Sequence, residues 1–433
     1  CNSSTLCHVT ILSLSQFNMT GNIPSSLSQL NYSVGWDFSN NNINGSLTAV
    51  AGGSETNPGV LTYMKSLQFQ SNQLTSSLPE YLCNGTQLRE LNLQYNQLIG
   101  SVPTCLGSAL VQVQVFNIGD NQLSGRNLLS QSMTNLSSIV YYNIQNNMFT
   151  GSLFPSTSTS SLGLGVGLGL QHLMVGSNKL SSTIPTSINA LTNIVMMDCS
   201  VNMLVGNLPV LSDLINLKTV SFASNRLDGG LDSGLFASVQ TKLQNIDISY
   251  NGFVGTIPSD IFTLTALQVL SASENCFTGA IPTSICGAHQ LVTLALNGLQ
   301  SNTHFCPGIS LPFAKSPLMN TIAGGIPSCL WYLSNLQSLY LAGNGLTGVI
   351  DSNSSLVSNA PVPLSTSITN VTLSHNLFTG KIPNLIQEYS FYDFDVSHNK
   401  LSGTGGGLTG DSNNITYAIN RISGFLPSSF REA

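Results

Sequence analysis

The most constraining feature of this sequence is a pattern of about two dozen residues that returns along the whole chain. Its clearest copy runs from Leu243 to Pro258 and fits the template LxxLxLxxNxLxGxIP. Sixteen copies can be aligned on the ninth position, and most follow one another at intervals of 21 to 26 residues. Because no copy can bury its apolar side chains alone, the copies must stack into one continuous core. The pattern predicts a repeat solenoid rather than a set of separate globular domains.

Each position of the template has an expected role. Positions one, four, six and eleven are apolar and should point inward, as Leu267, Leu270, Ala272 and Phe277 illustrate. Position nine is Asn in fifteen of the sixteen copies, and the first copy has Phe17 instead. An Asn side chain in the bend after a strand can donate to and accept from backbone groups of adjacent coils. The expected ladder consists of Asn41, Asn72, Asn96, Asn121, Asn147, Asn178, Asn202, Asn225, Asn251, Asn275, Asn320, Asn344, Asn376, Asn399 and Asn420.

The spacing of the copies predicts the domain organisation. Residues 1–8 are expected to form a short N-terminal cap segment, and residues 9–433 a single solenoid. The interval from Asn275 to Asn320 is 45 residues, so subtracting a usual interval of 24 leaves an insertion of 21 residues at about 299–319. Loops of this length inside a compact array are usually functional. The insertion is therefore a candidate binding element.

The cysteines predict four disulfides. Cys83 and Cys105 follow their IP-type motifs in the same phase as Cys286 and Cys329, and both pairs are 22 residues apart once the insertion is subtracted. The candidate bridges are Cys1–Cys7, Cys83–Cys105, Cys276–Cys306 and Cys286–Cys329. Cys199 occupies apolar position six and is expected to be a buried free thiol. Eight paired cysteines fit an oxidising compartment, and the absence of a CxxC motif argues against zinc.

Composition narrows the partners and the compartment. Charged residues are only 7% of the chain, the net charge is −6 and no run of Lys or Arg occurs, so nucleic acid is excluded as a partner. No apolar run approaches the ~18–20 residues that cross a bilayer. The chain opens at Cys1 without Met or a signal peptide, as expected for a mature or excised extracellular piece. Candidate N-glycosylation sites are Asn2, Asn18, Asn31, Asn44, Asn84, Asn135, Asn353, Asn370 and Asn414.

These motifs closely resemble the plant-type extracellular leucine-rich repeats of receptor-like kinases, receptor-like proteins and polygalacturonase-inhibiting proteins. The resemblance covers Val9 to Pro427, and it rests on the recurring LxGxIP motif and on the paired IPxxxC and IPxCL cysteines. It implies a right-handed α/β superhelix with a parallel β-sheet on the concave face and short helical turns outside. The class binds peptides, steroids, carbohydrates and proteins, so the resemblance does not identify the ligand of this protein. Neither end of this sequence clearly carries the terminal cap that the class usually has.

The concave face offers few side chains typical of binding hot spots. Positions two, three, five, seven and eight should face outward, and position seven is mostly small and neutral. Since hot spots favour Trp, Tyr and Arg, this composition favours a scaffold surface over a dedicated groove. Asn370 and Asn414 fall at position three, so glycans there would block part of the face. The binding candidates are Arg89, Tyr95, Tyr141, Tyr250, Tyr340 and Tyr392.

No catalytic or cofactor motif stands out. The glycine-rich string STSTSSLGLGVGLG lacks GxGxxG and a following Lys-Ser/Thr pair, so it is interpreted as a loop. His375 and His398 share position eight of adjacent coils near Asp393 and Asp395, and could form a weak metal site or an acid-sensitive patch. The alternative is that LSHN simply fills the LxxN template, which is the favoured interpretation. We therefore expect no enzyme activity, no metal and no cofactor other than N-linked glycans.

Two main functional hypotheses follow from the sequence. The favoured one is a structural protein that assembles head to tail into an extracellular fibre, because joining Asn420 of one copy to Phe17 of the next would give an interval of 30 residues. The alternative is a ligand-binding ectodomain or secreted inhibitor that uses the concave face, with Tyr340 and residues 299–319 at the site. Ice binding is a minor third hypothesis, and the lack of a regular row of Thr argues against it.

Overall fold

The fold was analysed in a computed structural model of the chain. It describes residues 8–51, 61–126, 136–153, 169–298, 306, 320–351, 365–387, 389–403 and 414–422. The chain falls into two compact units, Cys1–Val205 and Gly206–Ala433. Each unit repeats the same sequence of structure, in which a three-residue strand is followed by a bend, a second short strand and a return segment.

The first unit carries eight parallel strands on the face that we call concave, and each is hydrogen-bonded to the next in chain order. These strands are Ile11–Ser13, Gly35–Asp37, Ser66–Gln68, Glu90–Asn92, Val115–Asn117, Tyr141–Asn143, His172–Met174 and Met196–Asp198. The strands after the bend are Thr20–Asn22, Asn42–Gly45, Gln73–Leu74, Ile99–Ser101, Gln122–Arg126, Met148–Gly151, Lys179–Ser182 and Met203–Gly206, which ends at the boundary. The return segments include four 3₁₀ turns and one α-helical turn, at Ser25–Gln29, Leu47–Ala51, Glu80–Asn84, Thr186–Ala190 and Leu106–Ala109.

The second unit has the same organisation. Its concave strands are Thr219–Ser221, Asn245–Asp247, Val269–Ser271, Thr293–Ala295, Ser338–Tyr340, Asn370–Thr372, Asp393–Asp395 and Asn414–Thr416. The strands after the bend are Arg226–Gly230, Gly252–Thr256, Cys276–Thr278, Ala323–Gly324, Gly345–Leu346, Thr379–Gly380, Lys400–Gly403 and Arg421–Ile422. Described return segments include 3₁₀ turns at Ser259–Thr263, Thr283–Gly287 and Ser328–Tyr332, and an α-helical turn at Asn384–Gln387.

The apolar positions of the template form the core of both units. In the clearest copy, Leu243, Ile246, Ile248 and Phe253 are all fully buried. Because successive side chains of a strand point to opposite faces, burying position four leaves positions three and five on the outer, concave side. The prediction of a leucine-rich-repeat solenoid with a parallel sheet and about sixteen repeats is confirmed. The prediction of one solenoid over residues 9–433 stays a prediction.

The ladder Asn connects each coil to the one before it. The Asn251 amide donates to the carbonyls of Phe222, Ile248 and Ser249, at 2.9, 3.3 and 3.0 Å, and its oxygen accepts from the Leu227 N–H at 3.0 Å. The amide thus satisfies buried backbone groups that no strand pairing reaches. The first coil is joined to the second in a similar way, because Asn41 accepts from the N–H groups of Phe17 and Met19 at 3.1 and 2.9 Å.

The residue directly before the ladder Asn adopts a left-handed conformation in most repeats. Tyr95, Val201 and His375 at position eight have φ values of 55°, 51° and 55°. This region is unfavourable for β-branched residues, so Val201 is a strained choice. The Gly of the LxGxIP motif also has positive φ in most repeats, and Ser76 takes its place at φ 79°.

Three disulfides lie on described residues. The structure joins Cys83 to Cys105, Cys276 to Cys306 and Cys286 to Cys329, with Cα–Cα distances of 5.8, 5.5 and 5.5 Å. The first and third link consecutive return segments, as their phase predicts. Cys199 is buried and takes no part in a disulfide, and burial raises the pKa of its thiol. The Cys1–Cys7 pair lies outside the described residues. None of the described helices has the length and apolar character required to span a membrane.

Candidate functional site

Position five of the concave strands has a structural role that the sequence did not show. Asp37, Asn92, Asn143, Asp198 and others accept the backbone N–H of the residue two positions later, at distances of 2.9 to 3.4 Å. This contact is the Asx-type turn that short polar side chains make. It holds the chain as it leaves the strand. These carboxylates and amides are therefore partly satisfied internally, and position three is the better place to look for ligand contacts.

Position three of the first unit forms a stripe of large side chains across four consecutive strands. Strand pairing places Val115 opposite Tyr141, Tyr141 opposite His172, and His172 opposite Met196. All four are half-buried, and the rings of Tyr141 and His172 are 5.6 Å apart. We call these four residues the concave stripe. With strands ~4.8 Å apart, the stripe extends over roughly 14 Å.

The sequence prediction identified only Tyr141 within this stripe. The other three residues also occupy position three, which the template does not specify. They are separated in the chain by return segments of different lengths. Met174 lies beside His172 at position five of the same strand and adds further apolar surface. Writing position three of every repeat as one column would have found the stripe.

Two exposed cations lie near the concave stripe. Lys65 and Arg89 occupy template position two, directly before the adjacent strands Ser66–Gln68 and Glu90–Asn92, and the Arg89 N–H donates to the Lys65 carbonyl at 2.8 Å. Neither side chain forms a hydrogen bond or ion pair with a residue in the described part of the chain. We call Lys65 and Arg89 the basic pair.

The carboxylates of the same face have internal partners. Glu90 accepts from the Ser66 hydroxyl and the Gln68 amide at 3.0 and 2.9 Å. Asp120 accepts from the amides of Gln94 and Asn146 at 2.8 and 2.6 Å. The acidic groups of this face are thus engaged by neutral donors, whereas the basic pair is available to solvent.

The second unit presents a different concave face. Its position-three column is small and polar in most repeats, and consists of Thr219, Asn245, Val269, Thr293, Ser338, Asn370, Asp393 and Asn414. Tyr340 lies at position five, paired with Ala295 on one side and Thr372 on the other, so it has no large neighbour in its column. Among the other binding candidates, Tyr250 is half-buried, whereas Arg89, Tyr95 and Tyr392 are exposed. The structure does not bring these residues together into one cluster.

His375 and His398 stack face to face at the edge of the second unit's face. Their ring centroids are 3.9 Å apart and their planes differ by 14°. Burial and the neighbouring His398 lower the pKa of His375, and Asp395 opposes this effect. Burial and the neighbouring Asp395 raise the pKa of Asp393. Among the described residues, no group of three or more His, Cys, Asp or Glu is arranged to hold a metal ion.

Six of the nine candidate glycosylation sites lie on described residues. Asn18, Asn31, Asn44, Asn84 and Asn414 are exposed, and Asn370 is half-buried. Asn370 donates to the hydroxyls of Thr369 and Ser338 at 3.1 and 3.4 Å. Asn2, Asn135 and Asn353 fall outside the described residues. The same holds for the insertion at 299–319, except for Cys306, whose bridge to Cys276 fixes it beside a strand of the second unit.

Comparison with known sequences and structures finds similar proteins of known class. The profile of the family described as Leucine Rich Repeat matches residues 87–109, 242–264 and 335–356. Receptor-like protein 41 of Arabidopsis thaliana is 24% identical over 80% of this chain and 43% of its own length. The chain carries leucine-rich repeats and is similar to plant extracellular proteins built from them. The protein is extracellular, in agreement with its disulfides.

This leucine-rich-repeat protein is also similar to a second receptor-like protein and to a solved receptor structure. Receptor-like protein 35 of Arabidopsis thaliana is 29% identical over 44% of the chain and 16% of its own length. A solved plant peptide hormone receptor, RGFR1 in complex with RGF2, superposes with a TM-score of 0.82 at 26% identity, covering 98% of this chain and 61% of the receptor chain. The protein thus spans less than half the length of the curated relatives named here.

Proposed function

We propose that this leucine-rich-repeat protein is a non-enzymatic ligand-binding ectodomain that holds an extended polypeptide on the concave face of its first unit. The observation that carries the proposal is the concave stripe, which places Val115, Tyr141, His172 and Met196 side by side on four strands. The likeness to a receptor solved with its peptide hormone supports a polypeptide as the ligand class.

The stripe suits an extended chain that crosses the strands. An extended polypeptide advances ~3.3–3.6 Å per residue, so the roughly 14 Å of the stripe would contact about four residues. Tyr is enriched at binding hot spots, and Met side chains adapt to different apolar partners. The stripe therefore offers a rigid aromatic anchor next to adaptable apolar surface.

Selection from random peptides tests the proposal without a known ligand. Random peptides of about twelve residues, which span roughly 40 Å when extended, are displayed against the whole protein, and the affinities of enriched peptides are measured by fluorescence polarisation. Saturable binding with one peptide per protein is expected. Tyr141→Ala should weaken it by about tenfold or more, since truncating a hot-spot residue costs ~2 kcal/mol.

Matched variants locate the site. Met196→Ala should weaken binding, whereas Met148→Ala should not, because Met148 is an exposed methionine on a strand after the bend. Tyr340→Ala should also leave binding unchanged. If Tyr340→Ala weakens binding and Tyr141→Ala does not, the ligand binds the second unit and the proposal is wrong.

Glycans are expected to reinforce the difference between the two faces. We propose that Asn370 and Asn414 carry N-linked glycans, which would cover position three of the last repeats in the second unit. The exposure of Asn414 supports this. Mass spectrometry of tryptic glycopeptides from the secreted protein tests this. If neither Asn370 nor Asn414 carries a glycan, glycans do not contribute to the difference between the two faces.

Head-to-tail assembly into a fibre, which the sequence favoured, gains no support from the comparisons. Its argument depended on the two ends of the sequence, and residues 1–7 and 423–433 lie outside the described residues. The matches are instead to receptor-like proteins and to a peptide hormone receptor. The ligand-binding alternative is therefore the proposal made here, and light scattering at high protein concentration is expected to give a monomer.

A further inference from the structure

We infer that the ligand of the first unit carries an acidic group about three to six residues away from a large apolar side chain. The inference rests on the proposed function and specifies the chemistry of the ligand at the same face. It follows from the placement of the basic pair relative to the concave stripe, and from the way in which the other charges of this face are already satisfied.

The distance between the two features follows from the strand order. Arg89 precedes Glu90–Asn92, which is paired directly with Val115–Asn117, and Lys65 is one strand further away. Tyr141 is therefore two strands from Arg89, and Met196 is four strands away. At ~4.8 Å per strand these separations are roughly 10 and 19 Å, which an extended chain covers with about three to six residues.

The charges of this face favour an anionic partner group at the basic pair. Lys65 and Arg89 are exposed, and neither side chain forms a hydrogen bond or ion pair within the described part of the chain. The nearest acid in the sequence, Glu90, already accepts from Ser66 and Gln68. An Arg and a Lys side by side can bind a carboxylate by charge-assisted hydrogen bonds. Among the described residues, no ion pair of Lys65 or Arg89 has to be broken first.

The apolar requirement follows from the stripe itself. Tyr141 and His172 have half-buried rings within contact distance of each other, and Met174 and Met196 are half-buried beside them. A charged ligand side chain at this place would lose hydration without gaining a partner of opposite charge. An aromatic or aliphatic side chain would instead bury apolar surface against the stripe. The two subsites thus select different chemistry at a fixed spacing.

Peptide selection on charge variants tests this motif. Random peptides are selected in parallel on the wild-type protein, on the Lys65→Glu/Arg89→Glu variant and, as a charge control, on the Lys179→Glu/Arg226→Glu variant, whose residues lie on strands after the bend. On the wild type and the control, enriched peptides should carry Asp or Glu about three to six residues from Tyr, Phe, Leu or Met. On the Lys65→Glu/Arg89→Glu variant the acidic residue should disappear or be replaced by Lys or Arg, while the apolar residue stays.

Affinities of one enriched peptide give the second measurement. Changing its acidic residue to the neutral amide should weaken binding by about twofold to fivefold on the wild type, as expected for an exposed ion pair, and should have no effect on the Lys65→Glu/Arg89→Glu variant. Raising the salt concentration should reduce the difference.

The outcomes separate this inference from the proposed function. Enriched peptides that depend on Tyr141 but carry no acidic residue at a defined spacing would overturn the inference and leave the concave stripe as the binding site. Peptides that depend on neither Tyr141 nor the basic pair would overturn both. An acidic residue that is enriched equally on all three proteins would assign its partner to another cation and contradict the role of Lys65 and Arg89.

Discussion

The concave faces of the two units are built alike but carry different chemistry. Each face consists of eight three-residue strands with the same pattern of buried and outward positions. In the first unit, position three holds Val115, Tyr141, His172 and Met196 on four consecutive strands, and the other four strands carry Ile11, Gly35, Ser66 and Glu90. In the second unit it holds mainly Thr, Ser, Asn and Asp. The repeat template therefore specifies the backbone conformation, and it leaves the outward residues of the concave face free to vary. If that is correct, scaffold mutations should act alike in both units, and surface mutations should not.

Removing equivalent disulfides should have the largest effect and should affect both units. The Cys83–Cys105 and Cys286–Cys329 bridges close segments of 22 and 43 residues. In the chain-entropy account, replacing both cysteines of a bridge by Ser costs about 3 kcal/mol for the shorter segment and about 4 kcal/mol for the longer one. Urea unfolding combined with hydrogen exchange resolved by unit measures both losses. A larger loss for Cys83→Ser/Cys105→Ser would contradict the assumption that the bridges act through loop closure alone.

Equivalent ladder Asn residues should contribute equally in the two units. Asn147 and Asn251 are both buried and make the same set of four backbone hydrogen bonds. Asn147→Ala and Asn251→Ala each leave buried backbone groups without partners, which should cost about 3 kcal/mol. The free energy of unfolding is measured for both. Losses that differ by more than about 1 kcal/mol would show that the scaffold is not equivalent.

Relieving the strained position eight should stabilise both units by a smaller amount. Val201 and Ile419 are β-branched residues with φ values of 51° and 53° and exposed side chains. Asn tolerates this conformation better, so Val201→Asn and Ile419→Asn should each gain about 1 kcal/mol. The reverse change Asn40→Val, at φ 54° in the first unit, should lose a similar amount. Thermal unfolding of the three variants tests the sign, and an unchanged midpoint for all of them would mean that the strain is relieved elsewhere.

Acid should weaken the second unit at His375, and this effect on stability should be the smallest of those predicted. The folded-state pKa of His375 is lowered below its ordinary value of 6.5 by burial and by His398. The unfolded chain therefore binds the proton more readily, so the contribution of His375 is fully present above about pH 6.5 and is lost as the pH falls through the lowered pKa. Because His375 is exposed, the loss should be only a few tenths of a kcal/mol.

Hydrogen exchange measures this pH effect locally. The His375 and His398 amides donate to the carbonyls of Ser397 and Ala418, so their protection reports on the stack. Protection, corrected for the intrinsic rate, should fall slightly between pH 7.5 and 5.5, and His398→Asn should reduce the change. The carboxyl of Asp393 has a raised pKa and contributes with the opposite sign, so an Asp393→Asn variant is measured in parallel. A pH dependence that survives in both variants would have another origin.

The sequence predicts the scaffold better than the site, for a physical reason. The ladder Asn, the buried apolar positions and the phase of the Cys83–Cys105 and Cys286–Cys329 bridges all depend on spacing within or between adjacent copies, and spacing is visible in the chain. The concave stripe instead depends on which residues become neighbours across strands. Val115, Tyr141, His172 and Met196 are joined by segments of unequal length, so they meet only after the repeats are aligned.

Position five illustrates the opposite difficulty. Its Asp and Asn side chains occupy outward positions and suggest ligand contacts when only the sequence is known. In the structure, residues such as Asp247 accept the N–H two positions later, here at 3.0 Å to Ser249. Outward placement in the template does not therefore show that a side chain is free to bind a partner.

A footprint of a selected peptide on the whole protein tests the central claim most directly. Hydrogen exchange is measured with and without a saturating amount of the highest-affinity peptide, and protection is compared between the two concave faces. We predict added protection in and beside Val115–Asn117, Tyr141–Asn143, His172–Met174 and Met196–Asp198, and none on the strands from Thr219–Ser221 to Asn414–Thr416. Protection confined to the second unit, or absent from both concave faces, would contradict the assignment of ligand binding to the concave stripe.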